Sequence, residues 1–409
     1  MSDYACRFCG SPLEHTFVDL GETPLANAFL TEEALTRPEP RHPLKVYVCS
    51  NCLLVQLPEF ESPEAIFSDY AYFSSFADTW LDHVERYAAA AIDRFAIDAS
   101  SQVIEVASND GHLLQRFAQR GIPVLGIEPA ANVAREAESR GIRTLVRFFG
   151  AEVAGEVAAD VRADLLVGNN VLAHVPDLND FVAGLRVLLA PAGVLTLEFP
   201  HLARLMSENQ FDTIYHEHFS YFSFRTARQV LRAHGLEVFD VDRLPTHGGS
   251  LRIYAHHRSD ETHETSARVD ELLTEETQQG FEELEHHLDF DRHVRATRDV
   301  LLGFLERARR EGKRVACYGA PAKGNTLLNY CGVDTGVVPY TVDRSPHKQG
   351  LYLPGTHLPI HAPEHVFEDR PDYLLILPWN FRDEILEQMA GISEWGGRFV
   401  VAIPELEVI

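Results

Sequence analysis

Residues 211–222 bring Tyr215, His216, Glu217, His218 and Tyr221 together among Phe211, Phe219 and Phe222. Aromatic neighbours bury a segment. Buried imidazole, carboxylate and phenol groups move protons near neutral pH, because burial and neighbouring charge shift their pKa values toward 7. A purely packed core has little use for two histidines and a glutamate at such density. A metal site built on His216 and His218 is disfavoured, because His-x-His beside one acid is a common accident of sequence. Acid–base chemistry is therefore the leading expectation for this strip.

A second constellation is made of cysteines. The chain has six, and four form two C-x2-C pairs, Cys6 with Cys9 and Cys49 with Cys52. Two such knuckles supply the four thiolates of a closed tetrahedral zinc site, which leaves no open position for catalysis. The expectation is one structural zinc ion. The spacing favours metal over disulfides in a cytoplasmic chain.

The remaining composition narrows the field. The chain has 409 residues and a formal net charge of −25, with 45% hydrophobic residues. It can bury a large core, and its acidity argues against nucleic-acid binding. No apolar run reaches the length of a membrane span. The N-terminus lacks the basic-then-apolar order of a signal peptide. A soluble cytoplasmic protein is expected. Its oligomeric state is left open, and a monomer is compatible with the sequence.

These residues need a frame, and residues 101–200 supply one. Apolar strands alternate with helical segments there, the pattern of a parallel sheet with crossover helices. Strands are expected at 102–107, 124–129, 144–149, 164–170 and 194–200, the last after a helix over 180–193. Ligands bind beyond the carboxyl ends of such strands. Those ends carry Glu105, Ala107, Asn109, Gly111, Glu128, Phe148, Asn169 and Asn170. Glu128 closes the second strand, where an acid commonly accepts hydrogen bonds from ribose hydroxyls. The first loop has one glycine and no G-x-G-x-x-G, which leaves a mononucleoside-type cofactor open. A helix, a strand, a THGGS turn and a returning strand then complete a methyltransferase-like sheet, and Gly248 and Gly249 read as turn residues. Polar helices over 262–312 lead to a second α/β pattern over 313–409. The segment 319–324 there, with Lys323, offers a helix start to a phosphate. Tyr72 lies in an aromatic stretch whose spacing favours a packing edge.

Taken in order, these motifs resemble one family: S-adenosylmethionine-dependent C-methyltransferases that act on nucleotide-linked keto-deoxysugars. The resemblance runs through the two cysteine pairs, YAYFSS at 70–75, EVASNDG at 105–111, GIEPAANVA at 126–134 and NNVLAHVPD at 169–177. It continues through FDTIYHEHF at 211–219, THGGSLRIY at 246–254, YGAPAKGN at 318–325 and DRSPHKQG at 343–350. It implies a zinc module (1–75), a class I, Rossmann-like methyltransferase core (76–260) and a helical connector with a Rossmann-like α/β domain that helps hold the nucleotide sugar (261–409). It implies S-adenosylmethionine bound by Glu105, Ala107, Asn109, Gly111, Glu128, Phe148 and Asn169. Tyr72, Tyr215, Glu217 and His218 are implied to line the active site, with His218 as general base. Asn170, His174, His247 and Gly249 match positions toward the sugar, and Lys323 and Lys348 toward the diphosphate of a nucleotide, dTDP by expectation. Two departures stand out: Ala107 and Ser108 replace the usual glycine-rich loop, and Arg147 stands where an acid can meet the adenine. Methylation of oxygen, or a zinc-containing protein that binds sugar nucleotide without turnover, remain alternatives at the level of sequence.

Overall fold

The computed structural model describes residues 4–62 and 78–409, so Tyr72 and the YAYFSS stretch lie outside the described residues. The chain divides into two compact bodies. One comprises Met1–Leu13, Cys49–His201 and Phe219–Glu282; the other comprises Glu14–Val48, Leu202–His218 and Glu283–Ile409. Residues 14–48, which join the two cysteine pairs along the chain, thus belong to the second body. Among the described residues no helix is long and apolar enough to cross a membrane.

The first body is built on a seven-stranded sheet. Its strands are β1 (Val103–Val106), β2 (Val124–Ile127), β3 (Thr144–Leu145), β4 (Ala163–Asn169), β5 (Leu189–Pro200), β6 (Leu236–Leu244) and β7 (Ser250–His257). Their spatial order is β6-β7-β5-β4-β1-β2-β3. The run from β3 to β5 is parallel. By contrast β7 lies antiparallel to both β5 and β6. This is the order of a class I methyltransferase sheet. Every residue of β1 is buried, as expected for a central strand covered on both faces. One covering element is the helix Asp78–Phe95, which sets Val84, Tyr87, Ala88 and Ala91 into a core with Val103, Leu113, Leu165 and Phe239. The strand order reverses between β1 and β4, and their carboxyl ends are the expected ligand edge.

Two segments differ from the sequence reading. The helix ends at Leu188, and Leu189–Pro200 is one long strand. Pro191 lacks the N–H that a continuing helix needs. The extra residues form an irregularity in the β4–β5 pairing between Ala163 and Leu165. The third strand spans Thr144–Leu145 alone, and Val146 and Phe148 beyond it are exposed.

The second body pairs a hairpin with an α/β sheet. The hairpin strands His15–Thr23 and His42–Val48 run antiparallel. Phe17 on the hairpin stacks on Phe290 at the start of the long helix Phe290–Arg310, with ring centroids 4.8 Å apart. The sheet runs Ile360–His361, Thr341–Val342, Val315–Tyr318, Tyr373–Ile376, Arg398–Val401 and Glu407–Val408, parallel except for its last strand. This is the second, Rossmann-like unit.

Candidate active site and metal centre

The four knuckle cysteines come together in the first body, with all four sulfur atoms within 4.8 Å of one another. Cys6 Sγ lies 3.6 Å from Cys52 Sγ, and Cys9 Sγ 3.5 Å from Cys49 Sγ. A tetrahedron with zinc–sulfur bonds of about 2.3 Å has edges of about 3.8 Å. A disulfide needs about 2.05 Å. The donor set and spacing therefore fit zinc. Hydrogen bonding from Cys49 and Cys52 pulls the Cys6 thiol well below its ordinary value, while Cys49 and Cys6 push the Cys52 thiol up. Four thiolates at this spacing need a cation among them. Gln56 donates to Cys6 Sγ at 3.1 Å and accepts from the Arg7 N–H at 2.9 Å. The Arg7 guanidinium in turn donates to the carbonyls of Pro176, at 2.8 Å, and Leu57. Asn179 donates to the carbonyls of Arg7 and Phe8. The knuckle is thereby tied to the segment 176–179, which follows the short helical turn Leu172–His174.

At the carboxyl edge of β1 and β2, both oxygens of the buried Glu128 accept main-chain N–H groups, from Asn109 and from Ala130, each at 2.9 Å. Each carboxylate oxygen keeps a lone-pair direction for a further donor. Burial raises the Glu128 carboxyl, against those two hydrogen bonds. Glu105 is also buried, and one of its oxygens has no partner among the described residues. Burial, with Asp110 and Glu128 nearby, raises its carboxyl well above the usual range. This acidic, ribose-compatible edge fits a cofactor that is both cationic and nucleoside-bearing. Ala107 and Asn109 have φ of 57° and 48°. Asparagine visits that region readily, whereas alanine there costs about 1–2 kcal/mol. Ala107 thus takes up the backbone shape that glycine provides in the more usual loop. Gly111 is constrained doubly, by φ of 74° and by Ala137 and Ile142, which a Cβ would meet at 3.0–3.2 Å. Phe148 is exposed beyond β3, and Arg147 reaches Glu156 at 3.5 Å.

The β4 end carries Asn169 and Asn170, and the turn between β6 and β7 carries His247 and Gly249. Asn170 and His247 both have φ of 53°, and Asn170 Nδ2 lies 3.3 Å from His247 Nε2. Gly249 has φ of 118° and its carbonyl accepts the His201 N–H at 3.1 Å. His174 closes the turn Leu172–His174 and is half-buried. Below this edge lies a group that the sequence reading missed. Glu198, wholly buried on β5, accepts from Arg252 at 2.7 Å and Thr246 at 3.0 Å, and lies 3.0 Å from His83 Nε2. Burial alone would raise its carboxyl, yet the His83 hydrogen bond and the Arg252 charge hold it low.

Residues 211–218 of the strip belong to the second body, and 219–222 to the first. After the short helical turn Phe211–Thr213, the His218 N–H bonds the Tyr215 carbonyl at 2.9 Å, so residues 215–218 form a tight turn. Tyr215 and His218 come off the same side of it, with ring centroids 4.1 Å apart. His218 Nδ1 lies 2.9 Å from the Thr213 carbonyl. A carbonyl only accepts, so in the neutral ring the proton sits on Nδ1 and the lone pair on Nε2. The corner residues are buried. His216 Nε2 meets the Pro43 carbonyl at 3.3 Å, and burial lowers its imidazole to about 4, so it stays neutral. Glu217 accepts from Asn27 at 2.6 Å.

Lys323 and Lys348 also lie in the second body. Lys323 donates to Asn380 at 2.8 Å and lies 4.4 Å over the Trp379 ring. Trp379 Nε1 donates to Asp212 at 2.8 Å. Asp212, wholly buried at the head of the strip, is thus linked to Lys323 through the indole. Lys348 donates to the Ala320 carbonyl at 2.8 Å. Asp343 accepts from the N–H groups of Ala320 and Ser345, at 2.7 and 2.8 Å. Burial lowers both lysines, opposed by Asp212 and Asp343 respectively.

The strip carries a pH signature. Burial pushes Glu217 up to about 7 against the Asn27 hydrogen bond, and Asp212 up to about 7 against Lys323 and Trp379. Both hold a proton more tightly folded than unfolded, so their stabilising contribution is complete at low pH. It is lost as pH rises from the ordinary carboxyl range through about 7. A Glu217→Gln, Asp212→Asn double variant is expected to escape that loss. Its melting temperature should gain several degrees on the wild type between about pH 5 and about pH 8. Parallel melting curves across that range would refute the assignment.

Comparison with known proteins adds the following. Residues 6–67 match a family described as a zinc binding domain, residues 80–241 a methyltransferase domain, and residues 245–404 a C-methyltransferase C-terminal domain. The C-methyltransferase NovU of Streptomyces niveus is 38% identical over 405 residues, spanning 99% of this chain and 96% of that protein. Among solved structures, the magnesium protoporphyrin IX methyltransferase ChlM of Synechocystis is 16% identical, with 43% of this chain and 78% of that one covered, at a TM-score of 0.33. The CcbJ methyltransferase of Streptomyces caelestis is 14% identical, with 44% and 90% covered, at a TM-score of 0.34.

Proposed function

The chain belongs to the S-adenosylmethionine-dependent C-methyltransferases, and from that premise we propose that its substrate is a nucleotide-linked 4-keto-deoxysugar, methylated at a carbon next to the ketone. S-adenosylmethionine and a structural zinc ion are its cofactors. Bound S-adenosylmethionine supplies an electrophilic methyl group. The chain must then make a carbon nucleophile, and a ketone acidifies its neighbouring carbon enough for a positioned base to do so.

The observation that supports this most directly is the His218 ring, with Nδ1 on the Thr213 carbonyl at 2.9 Å and its face beside Tyr215. In the proposed step, Nε2 takes the proton from the carbon and the ring becomes imidazolium. The Thr213 carbonyl holds the ring throughout. The Tyr215 phenol donates to the oxygen of the forming enolate, where charge develops. Tyr72 is a second candidate donor by the resemblance. Glu217, joined to Asn27, fixes the turn that sets the angle between Tyr215 and His218. Asn170, His174, His247 and Gly249 are assigned to the sugar, and Lys323 and Lys348 to the diphosphate. A dTDP carrier fits the family resemblance.

The cofactor assignment has its own test. Glu105, Ala107, Asn109, Gly111, Phe148 and Asn169 are assigned to the cofactor with Glu128, which is given the ribose hydroxyls. Glu128→Ala is expected to weaken S-adenosylmethionine more than tenfold, about 1.4 kcal/mol, by calorimetry. Unchanged affinity would remove Glu128 from the site.

The function itself is tested by incubating the protein with methyl-labelled cofactor and a panel of keto-deoxysugar nucleotides, among them a dTDP-linked 4-keto-6-deoxyhexose. Label on a sugar carbon is the expected product, located by mass spectrometry and NMR. Label on a hydroxyl oxygen, or turnover of non-sugar ketones alone, would overturn the substrate reading.

A further inference from the structure

Asn170 and His247 face each other at 3.3 Å, and both have φ of 53°, a left-handed backbone region in which asparagine and histidine are enriched over most other side-chain-bearing residues. Their side chains meet only if the surroundings hold both residues in place. One residue bonds Asn170 and the neighbour of His247. The Glu198 carbonyl accepts the Asn170 N–H at 2.7 Å. The Glu198 Oε1 accepts the Thr246 hydroxyl at 3.0 Å, one residue before His247. Its other oxygen is held by Arg252 at 2.7 Å, with His83 Nε2 at 3.0 Å. Arg252 lies over the Tyr87 ring at 4.3 Å, and Tyr87 bonds Thr196 on β5 at 2.6 Å.

We propose that Glu198 is a positioning residue for substrate binding: through Thr246 and its own carbonyl it holds Asn170 and His247 in the paired geometry that receives a sugar hydroxyl. This rests on the assignment of that pair to the sugar. A hydroxyl both donates and accepts, and the pair offers an amide and an imidazole to it. The Asn170 Oδ1 is buried with no partner among the described residues, which suits a hydroxyl donor. A buried carboxylate paired with an arginine is costly to keep for stability alone, since an apolar pair of equal volume often does as well. Its place beside this contacting pair argues for placement.

The link is cut at Thr246, leaving Glu198, Arg252 and His83 intact. Thr246→Val keeps the shape and removes the hydroxyl; Thr246→Ser restores it. The readout is calorimetric affinity for a dTDP-linked 4-keto-6-deoxyhexose in the presence of S-adenosylhomocysteine, with affinity for S-adenosylhomocysteine itself as reference. Thr246→Val is expected to weaken the sugar nucleotide about tenfold, with the reference unchanged and Thr246→Ser close to wild type. His247→Ala separates the two layers. If His247→Ala weakens the sugar nucleotide and Thr246→Val does not, Glu198 does not act by positioning. If His247→Ala has no effect, the pair does not meet the sugar and the proposal falls with that assignment. Equal losses for both ligands in Thr246→Val would mark a merely structural link and overturn it as well.

Discussion

His218→Asn should lose most turnover, by about 10²–10⁴-fold, while both ligands still bind. The asparagine amide can donate to the Thr213 carbonyl as Nδ1 of His218 does, so the turn is kept and the basic nitrogen alone is removed. S-adenosylmethionine affinity should not change, because the cofactor edge at Glu128 belongs to the other body. His216 is the internal control. It has the same chemistry, but it is buried on the Pro43 carbonyl with its imidazole lowered to about 4, so His216→Ala should affect stability more than turnover. Solvent exchange isolates the proton step: wild type in deuterated water is expected to exchange the hydrogen next to the ketone, and the His218 variant is not. Normal turnover by His218→Asn would move the base elsewhere, with Tyr72, Tyr215 and His174 next in line.

Cys49→Ser is expected to release the zinc and, with it, much of the first body's N-terminal structure. Structural zinc in small modules contributes about 10–16 kcal/mol of apparent binding free energy, which there is folding free energy. The wild type should carry about one zinc per chain by elemental analysis. The variant should carry little, melt at a clearly lower temperature and lose sugar binding before cofactor binding. The order follows from Arg7. Its guanidinium and carbonyl tie the knuckle to Pro176 and Asn179, beyond the turn that ends at His174, whereas Glu128 answers to Asn109 and Ala130. Wild-type protein that lacks zinc, with the four cysteines oxidised to disulfides, would defeat the prediction.

Sequence made some of this legible for definite reasons. A C-x2-C pair is readable because both ligands sit in one short segment. The parallel sheet is readable because mainly apolar strands alternate with helical segments, and several end in polar residues such as Glu128 and Asn169. The strip showed itself by its density of proton-carrying side chains. What holds His218 did not, because the Thr213 partner is a main-chain carbonyl that every residue possesses. The Asp212–Trp379–Lys323 link joins residues far apart in the chain. Glu198 did leave a signal: a single acid inside the apolar run 194–200 must be paired or must distort the strand. At Ala107 the departure is one of residue type alone. The missing glycine read as a departure from the cofactor loop, yet the backbone there reaches φ of 57° without one.

The interleaving of the two bodies has a consequence for how the chain is made. Each body is assembled from three segments, and the segment Leu202–His218, which carries Tyr215 to His218, belongs to the second. On the ribosome the first body has all its residues once Glu282 has emerged. The hairpin and the strip must then wait for the last 127 residues, 283–409, which at about 5–20 residues per second takes roughly 6–25 s. During that interval Phe17 and Phe211, both buried in the finished protein, lack Phe290 and Tyr330, the rings they pack on. The segment with the densest chemistry is thus among the last to be sheltered. Premature termination soon after Glu282 would leave it exposed to chaperones and proteases while the first body is already complete.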